Sequence, residues 1–416
     1  MSLSSHGRAA EMTRPRIAQA LSRIPRTVWA LCAVSFLTDV STEMAIVIMP
    51  LFLTGTLGVS VAFVGLIEGI AETTASLLKV FSGWLSDKMG RRKALVVIGY
   101  SLSAATRPLF ALAGSGAHIL GARVLDRVGK GLRTSPRDAL LADSVGENER
   151  GFVFGFHRAM DHAGAVVGPL ITFLLLAAGL AGYRGIFWLA AIPAALTIPI
   201  LVFGVREFQR EEALREFPLQ VGKSNFSPQF RRYLGVVLLF TLGNSSDAFL
   251  LLRAKSLGIA DAHIPLLFAA LHVSKMLSSA PGGALSDRLN RKTLVVAGWL
   301  VYAAVYFGFA HATNALHVWT LFICYGFFFG LTEGTERAWV ADLVPRESRG
   351  RAYGLFHLAI GLGALPASLL MGWLWENFSI ATAFHTGAAI ALAAALGLLV
   401  AVNAGPSSDQ QKQPAS

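Results

Sequence analysis

The stretch Gly83-Trp-Leu-Ser-Asp87-Lys-Met-Gly90-Arg91-Arg92 returns 200 residues later as Gly283-Ala-Leu-Ser-Asp287-Arg-Leu-Asn290-Arg291-Lys292. A second pair follows in the same order. Ala142-Asp143-Ser-Val145 with Arg150-Gly151 matches Ala341-Asp342-Leu-Val344 with Arg349-Gly350, at an offset of 199. Two motif pairs in one order at nearly one offset mean that the chain reads twice. Each copy of the first motif sits in a polar loop between long apolar runs.

Working outward, those runs set the fold class. Of 416 residues, 54% are hydrophobic and 15% charged, against about 25% charged in a soluble domain. Twelve runs, from 28–53 to 380–403, approach the roughly 20 apolar residues that a membrane-spanning helix needs. They divide evenly around a charged stretch at 206–232 that carries Arg206, Glu207, Arg210, Glu211 and Glu212. The expected architecture is all-α: twelve transmembrane helices in two pseudo-symmetric six-helix bundles, 28–205 and 233–403. A tail at 1–27, the linker 206–232 and a tail at 404–416 complete it. With loops numbered alternately, one side of the membrane holds 23 Lys and Arg and the other holds two, Arg184 and Lys255. The positive-inside rule then puts both termini in the cytoplasm. The net charge of +11 is therefore topology rather than a nucleic-acid surface. The two cysteines, Cys32 and Cys324, lie in apolar runs and read as small buried hydrophobes. The first 27 residues have no apolar core of their own, so no cleavable signal peptide is expected.

Eleven basic and ten acidic residues lie inside the runs. Charge at that depth costs several kcal/mol unless paired or wetted, and a simple anchor would not carry so much. The densest segment is Arg123-Val-Leu-Asp126-Arg127-Val-Gly-Lys130-Gly-Leu-Arg133-Thr-Ser-Pro-Arg137-Asp138. At 100° per residue its charged positions from Arg123 to Arg137 fall in an arc of about 120°, which must line a cavity or meet acids on neighbouring helices. The nearest acids are Asp39 and Glu43 on helix 1 and Glu68 and Glu72 on helix 2. The expectation is a wet cleft with Arg127 in reach of one of those carboxylates and Arg123 or Lys130 facing open space. Ser135-Pro136-Arg137-Asp138 also reads either as a fresh helix start or as a kink. Helix 5 adds Arg158, Asp161 and His162. His157, His272 and His357 read as packed side chains, and no spacing suggests a metal site.

The loop Gly-x-Leu-x-Asp-x-x-Gly-Arg-Arg resembles the signature loop of the major facilitator superfamily, and the resemblance covers about residues 28–403. It implies alternating-access transport by two six-helix bundles. In that light Gly83, Asp87, Gly90, Arg91, Asp287 and Arg291 form a conformational latch, while Lys88 and Lys93 merely hold the loop inside. Arg127-x-x-Lys130-Gly131 resembles the fourth-helix Arg-x-x-Gln-Gly motif of the proton-coupled branches, which places proton coupling at Arg127. Gly164-x-x-x-Gly168-Pro169 resembles the start of the fifth-helix antiporter motif; Thr172 and Phe173 stand where its last two glycines belong. Close helix packing accounts for the same glycines equally well.

A carboxylate exposed alternately to an apolar wall and to an arginine can carry a proton, because the two environments move its pKa in opposite directions. The coupling or substrate-cavity residues are expected to be Asp39, Glu43, Glu72, Arg123, Asp126, Arg127, Lys130, Arg158 and Asp161. The reading is a monomeric, proton-coupled exporter of a small molecule in the plasma membrane. Its partners are the solute, protons and the lipid bilayer, with no nucleic acid and no cofactor. The alternative is proton-coupled uptake of an organic anion. No Walker loop or hydrolase motif supports ATP-driven transport or an enzyme.

Overall fold

The computed structural model describes residues 24–89, 92–145, 150–207, 226–286, 289–345 and 349–402. Among them there is no strand. The helices are α1 (Arg26–Ile46), which runs on through a turn at Met49–Leu51 and a π-helical turn at Phe52–Thr56, then α2 (Val61–Met89), α3 (Arg92–Leu112), α4 (Gly116–Asp143), α5 (Arg150–Ala177) and α6 (Tyr183–Gly204). There follow α7 (Pro228–Gly243, resuming as Ala248–Ser256), α8 (Ile264–Ser286), α9 (Arg291–His311), α10 (Ala315–Leu343), α11 (Arg349–Asn377) and α12 (Ile380–Ala401). Among the described residues, ten helices are long and apolar enough to cross a membrane. The two outside that count are α4, which carries the charged stripe, and α8, which is apolar over Ile264–Ser279. Polar caps start several of them: Ser115 accepts from His118 N, Asn314 from His317 N, and Ser379 from Thr382 N, each satisfying a backbone donor that the helix leaves open.

The sequence repeat is visible in the contacts. Arg92 at the start of α3 pairs with Asp143 at the end of α4, and Arg291 pairs with Asp342 at the matching places in α9 and α10. Lys93 Nζ donates to Val202 O at 2.7 Å, and Lys292 Nζ to Leu399 O at 2.7 Å. The structural register of α3 and α4 against α9 and α10 is thus 199, one residue off the alignment of the first motif, and Arg92 rather than Arg91 is the counterpart of Arg291. Lys93 closes the carbonyl end of α6, a use of lysine that topology alone does not ask for. Glu207 accepts from both Arg92 N and Lys93 N at 2.9 Å and so caps α3. Of the latch residues, Gly90, Arg91 and Asp287 lie outside the described residues, as do the surroundings of Gly83 and Asp87. The fresh helix start near Ser135 does not form: α4 is continuous through Pro136. Ser135 Oγ instead donates to Lys79 O at 3.1 Å, tying α4 to α2.

Within the first half of the chain, α1 packs on α5 and α6, and α4 on α2 and α3; within the second, α8 and α9 pack on α10, and α7 on α11 and α12. The halves meet along α2–α11 and α5–α8. The α2–α11 seam is tightest at the face away from the termini. A Cβ placed on Gly69 would lie 2.8 Å from Leu365 Cα, and one on Gly372 would lie 2.7 Å from Ala62 Cα. Ala62 N donates to Glu376 Oε1 at 2.9 Å, Thr73 Oγ1 donates to Gly361 O at 2.7 Å, and the Tyr183 hydroxyl donates to Asp261. Backbones approach this closely only where side chains are absent.

A bulky residue at the seam should wedge it open. With Cys32 and Cys324 replaced by alanine, a cysteine at Thr42 should label several-fold faster when Gly69→Leu is added and an impermeant thiol reagent is applied from the face away from the termini. Unchanged labelling would mean that the seam does not close the path.

Candidate functional site: a charged cavity between the halves

A cavity of about 560 Å³ lies between the two halves of the chain. Of the nine residues expected there, Asp39, Glu43, Glu72, Arg123, Arg127 and Lys130 line it. Asp126 lies directly behind the wall. Arg158 and Asp161 are on α5 and outside the lining: Asp161 accepts from the Ser35 hydroxyl of α1 and stands 3.5 Å from Arg158 and 3.6 Å from His157.

The stripe on α4 is wider than the cavity and divides along its length. Arg123, Arg127 and Lys130 occupy one edge and face inward. Asp126 and Arg133 occupy the other and turn toward α3. Arg133 donates to the Ser103 hydroxyl and stacks over the Tyr100 ring at 4.4 Å, and Arg137 pairs with its neighbour Asp138 at 2.8 Å. Behind the wall runs a chain of alternating charge. Arg107 of α3 stands 3.5 Å from Asp126, Asp126 stands 3.8 Å from Arg123, and Arg123 Nη2 donates to both oxygens of Glu68 at 2.7 and 2.6 Å. Arg107 also donates to Ser41 at 3.0 Å and Thr42 at 2.9 Å on α1. Both arginines are fully buried. The chain therefore binds α1, α2, α3 and α4 through groups that would be costly to leave alone. Arg123, and not Arg127, makes the direct contact with a helix-2 carboxylate. Arg107 was one intramembrane charge among many in the sequence, and nothing in its spacing singled it out.

Helix 1 is held by glycine. A Cβ on Gly164 would meet Asp39 Cβ at 3.0 Å, and one on Gly168 would meet Glu43 Cβ at 2.9 Å. The helix-5 glycines therefore pack directly against the Cβ atoms of these two helix-1 residues, both of which line the cavity. Across the space, Glu43 Oε2 stands 3.8 Å from Nε2 of His272 on α8. The His272 ring packs edge-on against Phe268 at 5.0 Å, while neither of its nitrogens has a hydrogen-bond partner among the described residues.

The second half supplies a different wall. Three tyrosines grip the break in α7: Tyr302 OH donates to Gly243 O at 3.0 Å, Tyr306 OH and Ser245 Oγ lie 3.2 Å apart, and Tyr325 OH donates to Asp247 Oδ1 at 2.9 Å. The break exposes Asn244, Ser245 and Ser246 to the cavity. Lys275 Nζ sits 3.6 Å over the Phe329 ring. At the 199 offset, Arg107, Arg123, Asp126 and Lys130 correspond to Tyr306, Phe322, Tyr325 and Phe329. At the 200 offset of the α2 motif, Glu68 and Glu72 correspond to Phe268 and His272. The α2 register checks in space, since Gly131 crowds Leu78 as Gly330 crowds Ser278. Charge in one half is replaced by rings in the other.

The family model described as Major Facilitator Superfamily matches residues 31–253 and again 233–415. The chain belongs to the major facilitator superfamily. Superfamily relatives include an MFS-type transporter of Methanocaldococcus jannaschii, 35% identical over 384 residues, covering 90% of this chain and 95% of that one. A multi-drug resistance efflux pump PmrA homolog of Lactococcus lactis is 23% identical over 347 residues, covering 80% of this chain and 84% of its own. A crystal structure of the nucleoside transporter NupG superposes with a TM-score of 0.80 at 14% identity, covering 91% of this chain and 100% of that one. That likeness is one of fold. Members of this superfamily are transporters, and the chain is a multi-pass membrane protein on the same grounds.

The Arg123–Glu68 pair makes a stability test. Glu68→Gln leaves Arg123 without its principal counter-charge and should cost about 3 kcal/mol, read as a lowered thermal midpoint in detergent. The double change Glu68→Leu with Arg123→Met should recover most of the loss. A midpoint unmoved by Glu68→Gln would remove the pair from the scaffold.

Proposed function

We propose that this protein is a secondary active transporter that exports a small solute in exchange for protons by alternating access. It does so as a monomer with twelve spans, arranged as six-helix bundles at 28–205 and 233–403, in the plasma membrane with both termini cytoplasmic. The observation that carries the reading is the charged cavity between the halves, sealed by the α2–α11 seam on the face away from the termini. On the proposed topology this is the inward-facing state, and parting of that seam is the other half of the cycle. The likeness to an efflux pump supports export.

Asp39 and Glu43 are the proposed proton carriers. Helix 5 packs against the Cβ atoms of both, and both line the cavity with Arg127 and Lys130. A carboxylate there gives up its proton when a basic group or solute comes near and regains it when that neighbour withdraws. Arg123 and Asp126 are assigned to the rigid wall, and Arg158 and Asp161 to the α1–α5 contact. Asp87 and Asp287, with Arg91 and Arg291, are the proposed latch between states, hinged at Gly83 and Gly90. A second reading, proton-driven uptake of an organic anion, draws on the Nε atoms of Arg127 and Arg123, neither of which has a hydrogen-bond partner.

The test is transport in reconstituted vesicles carrying an internal pH-sensitive dye, with a panel of solutes and an imposed pH gradient. Solute movement should run against the proton gradient. Asp39→Asn and Glu43→Gln should each lower solute-driven proton flux at least tenfold while sparing solute exchange at equal concentrations. Solute and protons moving in the same direction would favour uptake, and transport indifferent to pH would end the coupling assignment.

A further inference from the structure

Most charge near the cavity is already matched. Arg107, Asp126, Arg123 and Glu68 are ion-paired in series, Glu43 Oε2 stands 3.8 Å from the His272 ring, Asp247 accepts from Tyr325, and Glu333 pairs with Arg337. In the first half of the chain four lining groups are left over, Asp39, Glu72, Arg127 and Lys130, and in the second Lys275 lines the same cavity with its Nζ over the Phe329 ring. Among the described residues none of the four makes a side-chain hydrogen bond or a direct ion pair. Arg127 is only 6% exposed, and its Nε has no partner. The first half thus contributes two positive and two negative groups, and Lys275 adds a positive group from the second.

We propose that the solute is a zwitterion with an apolar, ring-sized body: its anionic group meets Arg127 and Lys130, its cationic group meets Asp39 and Glu72, and its body lies against Phe268 and Phe329. The proposal rests on the transporter reading of the same cavity and names its substrate class. A simple anion would compete with Asp39 and Glu72 for the two bases and offer the carboxylates nothing in return; a simple cation would do the reverse. Either draws one set of charges away from the other, and a charged group left without a counter-charge inside a bundle is expensive. A zwitterion meets both pairs at once. The repeat supplies the remainder. Phe268 and Phe329 of the second half stand where Glu68 and Lys130 stand in the first, so charged ends and apolar body are sorted to opposite walls. About 560 Å³ is within the range of sites for small organic ligands and has room for one or two rings with their charged groups.

The test uses full-length protein in lipid nanodiscs and matched probe sets built on phenylalanine, tryptophan and diphenylalanine. Each set comprises the zwitterion, its N-acetyl form (anion only) and its methyl ester (cation only), measured by calorimetry. The zwitterion of at least one set should bind tenfold or more tightly than both singly charged forms. Arg127→Gln should weaken the zwitterion tenfold and leave the ester unchanged. Glu72→Gln should weaken the zwitterion tenfold and leave the N-acetyl form unchanged. A general loss of folding would weaken all three forms together and cannot produce that crossed pattern. A singly charged form binding as well as its zwitterion in every set, or no probe binding at all, would overturn the proposal. The crossed pattern without transport in vesicles would overturn the transporter reading instead. Transport of singly charged solutes as fast as zwitterions would overturn the substrate class and leave transport standing.

Discussion

Everything in the first half of this protein is arranged around the cost of charge away from water. Helix α4 carries five basic groups and one acid on a single face, and a lipid-facing surface cannot accept them. The chain from Arg107 through Asp126 and Arg123 to Glu68 answers that constraint by drawing three further helices onto α4. Because the groups are buried, moving any one of these helices separately would strand a charge. The four helices are therefore held to move together, and the property that makes them expensive to bury also makes them rigid.

The second half meets the same geometry without the charge. Where α4 uses salt bridges, α10 uses Tyr325 and Phe328, which stack on each other and meet Tyr302 and Phe240 in tilted and edge-on contacts. Rings give packing and hydroxyl donors without a desolvation debt, and their hydroxyls hold the interrupted part of α7. The two repeats have thus diverged into a wall that sets electrostatics and a wall that sets shape. The cavity takes its chemistry from both, and His272 touching Glu43 is the point where the walls meet.

The fold was legible because its signals are one-dimensional. Each apolar run lies within a helix or overruns its end by a residue or two, save that 28–53 crosses a turn after Ile46 and 233–254 is interrupted between Gly243 and Ala248, and the repeated motifs mark equivalent places to within one residue. Helical periodicity also found the inward edge of α4 and the carboxylates of α1 and α2. It did not find which base would meet which acid. Arg123 takes Glu68 while Arg127 does not, because the choice depends on the relative height of two helices, which spacing within one helix cannot supply. Arg107 and His272 were hidden for the same reason, each defined by a partner on another helix. Arg133 and Arg137 share the arc but not the cavity, since a face has length as well as width. At Pro136 the local signal for a new helix start was overridden by packing on α2.

The α2–α11 seam has a further consequence for how its two helices would part. Two hydrogen bonds, Ala62 to Glu376 and Thr73 to Gly361, cross it, and between them the contact at Gly65, Gly69 and Gly372 is backbone laid against backbone and carbon. Dispersion of this kind fades within about an ångström of separation. Such a joint does not stretch. It holds until it lets go, and once apart it exerts almost no pull, so intermediate openings gain nothing from either condition. A seam of glycine works as a snap fastener: its small residues make the closed position firm and leave the open one free.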